Sequence, residues 1–275
     1  MVAAFGYGVS DFVGGIASRR VAALRVVVIS YPVALILLTL IAIPFGGQLS
    51  VPAVVWGLAS GIAQAFGVWW FYAALGAGPI SVVSPLTAML VAGIPVGAGL
   101  ALGERPGLIA AVGIVVALVA VVLVSRDADT YEDATPHRFT AKVAWLTVGS
   151  GVAFGMNFVL LDQVPVEAKL WPLVFGRLAA TAIVLSAAAL TANLALERGV
   201  PMRLALTAAV LDTTANVATL LAVQSGMLSL AGVLIALYPA ATVALAIVVL
   251  RERVTRWQAV GMVSALAAVA MIAAG

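Results

Sequence analysis

Few side chains in this sequence can carry charge, and several of those stand inside apolar runs. Arg177 interrupts Leu173-Val-Phe-Gly-Arg-Leu-Ala-Ala-Thr181, and Asp212 interrupts Val210-Leu-Asp-Thr-Thr-Ala-Asn216. A charge in an apolar medium is costly unless it is paired, so these two are expected to form a buried ion pair. Such a pair would tie two helices together, or it would gate a pathway or touch a substrate. Asp11 lies in Gly8-Val-Ser-Asp-Phe12, with Tyr7 one helical turn before it and no basic residue in its run. A carboxylate so placed is either a hydrogen-bonded structural acid or a group that carries a proton or holds a substrate ammonium. Asn157, in Phe154-Gly-Met-Asn-Phe158, has the corresponding place in the second half of the chain.

Gln64, Tyr72, Asn216 and Tyr238 put further hydrogen-bonding groups into apolar runs, and Tyr31 adds another phenol. Tyr7, Asp11, Gln64, Tyr72, Asn157, Asp212, Asn216 and Tyr238 are therefore the candidate lining of a cavity for a small amphipathic solute. Trp69 and Trp70, near an expected helix end, fit an interfacial aromatic belt better. Pro85, Pro95 and Pro239 fall inside apolar runs, where the missing N–H leaves a carbonyl to be satisfied elsewhere. They are read as gating points where a helix bends, with a static kink as the alternative.

The elements that must position these groups follow from composition. At 64% hydrophobic and 9% charged residues, the chain would aggregate in water, so an all-α integral membrane protein is expected. A span needs about 20 apolar residues. Breaking the chain at its Arg, Glu and Pro punctuation predicts ten transmembrane helices: 2–18, 26–44, 52–75, 80–102, 107–124, 143–162, 170–191, 204–224, 229–250 and 256–274. The apolar run from Val2 is read as the first span and not as a signal peptide, because Arg19 and Arg20 follow the run instead of preceding it.

The chain also repeats itself. Glu104, Arg105, Ala111, Val112, Gly113, Ala117, Leu118, Ala120 and Val121 recur 148 residues on as Glu252, Arg253, Ala259, Val260, Gly261, Ala265, Leu266, Ala268 and Val269. Gly78 and Ser81 recur at the same offset as Gly226 and Ser229. With five spans per copy, the second copy is inverted in the membrane, which is the plan of secondary transporters with a site between the repeats. The expected division is a first repeat at 1–125, a polar linker at 126–142 and an inverted second repeat at 143–275.

Lys and Arg set the orientation. Eleven of the 14 fall on the side of the linker and two, Arg105 and Lys169, on the other, with Arg177 inside a span. This bias puts the linker in the cytoplasm and both termini outside. Cysteines placed at Ala128 and Gly275, in a chain that has none of its own, should therefore label from opposite faces of the membrane, and labelling of both from one face would refute the orientation.

Several classes of function are disfavoured. The net charge of +3 is spread over short connections and does not form a nucleic-acid patch. There is no cysteine, and the single histidine, His137, stands in the polar linker, so no metal or other cofactor is expected. No Ser/His/Asp set or phosphate-binding glycine loop is present, so the chain does not read as an enzyme.

Short motifs add a resemblance. Gly155-Met-Asn-Phe-Val159, Phe175-Gly-Arg-Leu178, and the junctions Leu102-Gly-Glu-Arg105 and Leu250-Arg-Glu-Arg253 resemble the EamA-type branch of the drug/metabolite transporter (DMT) superfamily. The chain departs from that pattern at Gly8-Val-Ser-Asp-Phe12, where a tryptophan-glycine-asparagine sequence is common, and at Tyr31, which stands where the second repeat has Arg177. The resemblance implies a multi-pass carrier of the bacterial inner membrane, similar to YddG-like amino-acid exporters, that works by alternating access. Its partners would be a small-molecule substrate and membrane lipid, and a monomer is expected. A multidrug or cation efflux carrier and a lipid-carrier flippase are the alternatives.

Overall fold

The computed structural model describes the backbone of all residues except 19, 20, 22, 78, 79, 126–139, 197, 251–254 and 275. Most of the expected linker, with His137, and the positions Gly78, Glu252 and Arg253 lie outside the described residues. So do the side chains of Asp11, Tyr72, Pro85 and Pro239, although their backbone is helical.

The described elements are helical throughout. They are α1 (Val2–Ser18), α2 (Ala23–Phe45), α3 (Val51–Ala77), α4 (Ile80–Ala101), α5 (Leu108–Ser125), α6 (Ala141–Asp162), α7 (Trp171–Leu190), α8 (Val200–Ser225), α9 (Leu228–Ala236), α10 (Tyr238–Leu250) and α11 (Arg256–Ala274), with a 3-10 turn at Val166–Ala168. Leu24–Phe45, Val51–Phe71, Ala141–Asp162, Trp171–Leu190 and Val200–Ser225 are long and apolar enough to cross a bilayer. Leu86–Ala101, Leu108–Leu123 and Arg256–Ile272 are apolar but shorter.

Local chemistry sets the ends of these helices. Thr255 and Gln258 form a capping box at the start of α11, in which each side chain bonds the other's backbone N–H at 3.1–3.2 Å. Ser50 and Thr140 accept from the first turns of α3 and α6. After α2, Gly46 turns the chain at φ +63°, a conformation that costs glycine little.

The ninth expected span, 229–250, is not one helix. It divides into α9 and α10 at Leu237. Pro239 has no N–H to return to the carbonyl of Ile235, and the chain restarts with a tighter bond from Ala240 N to Leu237 O at 3.0 Å. Pro32, Pro44 and Pro95, by contrast, lie within continuous helices.

The helices gather into two compact units, Met1–Ala65 with Leu160–Gln224, and Phe66–Val159 with Ser225–Gly275, so α3 and α6 contribute to both. In the first unit α2 runs antiparallel to α7. Lys169 Nζ donates to Phe45 O at 2.6 Å at one end, and Val28 and Tyr31 pack with Ala180, Val184 and Ala188 toward the other. Between them, Leu38 and Ala42 pack with Leu170, Leu173 and Val174. Helix α1 runs antiparallel to α8, with Gly6 against Ala215 and Ser10 Oγ donating to Ala208 O at 3.1 Å. Helix α3 lies parallel to α7 along a seam of Gly57, Gly61 and Gly176.

In the second unit α5 and α11 are antiparallel neighbours, joined by Ile114, Ala117, Ala120 and Val121 with Ala265, Ala268 and Ile272. Helices α4 and α9 are also paired, with Pro95 seated against Gly232. Thus α2 with α7, α4 with α9, and α5 with α11 each join a helix to its counterpart in the other copy of the sequence, in opposite directions. That is the local signature of an inverted duplication.

The Glu-Arg junction acquires a structural job here. The Glu104 carboxylate, from the turn after α4, accepts from the backbone N–H of Leu228 and, at 3.0 Å, of Ser229. It thereby caps α9, whose own N-cap residue, Met227, has no side-chain acceptor to offer.

Candidate functional site

Polar groups converge in the first unit, where α1, α2, α7 and α8 bring them together. Helix α7 carries Arg177 one residue beyond Gly176. At Gly176 the glycine seam lets α3 approach closely, and a Cβ there would lie 2.9 Å from Gly57 O. Arg177 is 3% exposed. Its Nη2 donates to Asp212 Oδ2 on α8 at 2.5 Å, a charge-assisted bond within an ion pair. Its guanidinium carbon lies 4.7 Å from the centroid of the Tyr31 ring on α2, within cation–π range. The Asp212 side chain keeps 23% of its surface, so the pair has a dry cationic end and a partly accessible anionic end.

Around this pair, Asn216 Nδ2 donates back to Asp212 O at 2.7 Å, and Thr219 Oγ1 donates to Tyr7 OH at 3.3 Å. Tyr7 and Tyr31 are both near enough to Arg177 to interact with its charge. Arg177 Nη1 and Thr181 Oγ1 are buried and find no hydrogen-bond partner among the described residues. The arrangement sets an ion pair, two phenols and these two unpartnered donors into a largely apolar group of helices. Among the described residues no group of His, Cys, Asp and Glu could hold a metal ion.

Of the residues picked from sequence, Tyr7, Asp212 and Asn216 lie together with Arg177. Gln64 is half-buried on α3 in the same unit. Asn157 is buried on α6, and Tyr238 is half-buried at the start of α10, both in the second unit. Sequence reasoning did not single out Thr181, Thr219 or Ser10, because a hydroxyl in an apolar helix usually only bonds its own backbone.

The profile of the EamA-like transporter family matches residues 1–126 and again 141–274. The chain belongs to the EamA-like transporter family. It is therefore a multi-pass membrane protein of the DMT superfamily, a transporter of small molecules and not an enzyme, and the family's two repeats account for the duplicated sequence. A solved structure titled "Crystal structure of protein" is similar to this EamA-like transporter in fold. It covers 99% of this chain and 98% of its own, with a TM-score of 0.74 and 15% identity. No curated protein matches the sequence of this transporter.

Proposed function

We propose that this EamA-like transporter exports amino acids, aromatic ones included, across the bacterial inner membrane by alternating access. The observation that carries this reading is the convergence of both charge signs and two phenols, Arg177, Asp212, Tyr7 and Tyr31, from four largely apolar helices. A hydrophobic cation needs only the acid and the aromatic rings. A buried arginine in the same cluster suits a solute that also carries an anionic group. The antiparallel pairing of counterpart helices within each unit is in keeping with an inverted-repeat carrier, the plan shared by transporters that alternate between inward-open and outward-open states.

Solute counterflow in proteoliposomes, with a panel of amino acids and hydrophobic cations, tests the substrate class. Saturable counterflow of amino acids is expected, and counterflow of the cations alone would replace this reading with that of a cation efflux carrier.

A further inference from the structure

Arg177 presents more donors than the described residues use. Nη2 is taken by Asp212 Oδ2, while Nη1 finds no acceptor among the described residues in a residue that is 3% exposed. Thr181 stands one turn further along the same face of α7. Its Oγ1 is likewise without a partner among the described residues, and the residue is 6% exposed.

The unmade bond at Thr181 is unusual within this molecule. Thr39, Thr147, Thr207, Thr213 and Thr214 all donate to the carbonyl four residues back. Thr181 has the same option in Arg177 O, and no such bond is made. Two buried donors left unsatisfied on residues one turn apart are costly, and a satisfied alternative was available to one of them.

We infer that Arg177 Nη1 and Thr181 Oγ1 are the seat for the carboxylate of a zwitterionic substrate, whose ammonium is received by Asp212. This rests on the amino-acid reading above and names the groups that perform it. A carboxylate brings two acceptor oxygens, one for each unspent donor. Asp212 engages Arg177 through one oxygen and keeps 23% of its side-chain surface, so it can take up an ammonium without giving up the arginine. The Tyr31 ring packs against the same guanidinium, 4.7 Å from its carbon. An amine without a carboxylate would leave both donors unmade, and an acid without an amine would face Asp212 unpaired. The seat therefore selects for a molecule with both charges.

The test is titration calorimetry on the full chain in lipid nanodiscs with L-phenylalanine, phenethylamine and 3-phenylpropionate. L-Phenylalanine is expected to bind at least about tenfold more tightly than either analogue. Thr181→Val should weaken L-phenylalanine about tenfold, and Thr181→Ser should restore it. Because the Thr181 hydroxyl makes no bond among the described residues, Thr181→Val should leave the melting temperature without ligand unchanged or raised.

Equal affinity for phenethylamine and L-phenylalanine would overturn the inference. So would an unchanged affinity in Thr181→Val, or a loss of ligand-free stability in that variant, which would mark the hydroxyl as structural. If wild-type protein binds amino acids but ignores these changes, only the carboxylate seat falls. If it binds no amino acid at all, the amino-acid reading falls with it.

Discussion

Arg177→Leu and Asp212→Leu, made separately, are each expected to destabilise the protein, and the double replacement is expected to recover most of what either loses. Removing one partner of a buried pair costs about 3–5 kcal/mol, because the remaining charge must stay in an apolar setting or drag water in. Replacing both with leucine removes a buried and a partly buried charge together, so that neither is left without its partner. The single losses should be unequal. Asp212→Leu strands a guanidinium whose side chain is 2% exposed, whereas Arg177→Leu strands a carboxylate that keeps 23% of its surface and can partly rehydrate. Asp212→Leu should therefore have the larger effect. Melting temperatures of the three variants in one detergent give the comparison, and a double mutant whose loss is the sum of the singles would reject the coupling.

The second large effect is expected at the α3–α7 seam. A Cβ on Gly57 would lie 2.6 Å from Pro172 O and 2.9 Å from Pro172 Cα, and one on Gly61 would strike the backbone of Gly176. Backbone cannot rotate aside as a side chain can, so Gly57→Ala or Gly61→Ala must push the two helices apart. Overpacking of this kind costs about 1–3 kcal/mol or more. Alanine's better helix propensity returns only about 1 kcal/mol, so the clash wins. Gly97 supplies the opposite case. It is exposed on α4 with nothing within 4 Å of its would-be Cβ, and Gly97→Ala should be neutral or stabilising. Since Arg177 follows Gly176 directly, seam variants should also displace the guanidinium and weaken substrate exchange. If alanine at Gly57, Gly61 and Gly97 shifts the melting temperature alike, the seam does not hold the helices as described.

Much of the helical plan is legible in the sequence because its punctuation is chemical. The span expected at 2–18 matches α1, that at 256–274 matches α11, and the expected starts near Pro52, Pro172 and Pro201 fall within a few residues of α3, α7 and α8. Prolines at helix starts cost no hydrogen bond, so they mark edges reliably. Interior prolines are harder to read. Each reveals a missing N–H, but whether the helix continues depends on packing that a single chain does not display: α4 runs on through Pro95, while the run carrying Pro239 breaks at Leu237.

The charged part of the site was visible because an arginine and an aspartate in apolar runs demand an explanation. Its hydroxyl part was not. Thr181 looks in sequence like Thr213 or Thr214, and only the structure separates the two that bond their own helix from the one that does not. The repeated Glu-Arg junction was similarly visible as a pattern, but its use became clear only when Glu104 was found on the first turn of α9, a helix 124 residues away in sequence.

Alternating access by an amino-acid carrier is tested most directly by exchange across a membrane. Proteoliposomes containing the purified chain would be loaded with unlabelled L-phenylalanine, and entry of external radiolabelled L-phenylalanine would be timed against vesicles loaded with buffer alone. A carrier whose loaded form reorients faster than its empty form shows saturable entry that internal substrate accelerates. That acceleration is the expected result, and Asp212→Leu should abolish it. Entry that rises linearly with concentration and ignores internal L-phenylalanine, or no entry of any amino acid tried, would contradict the account.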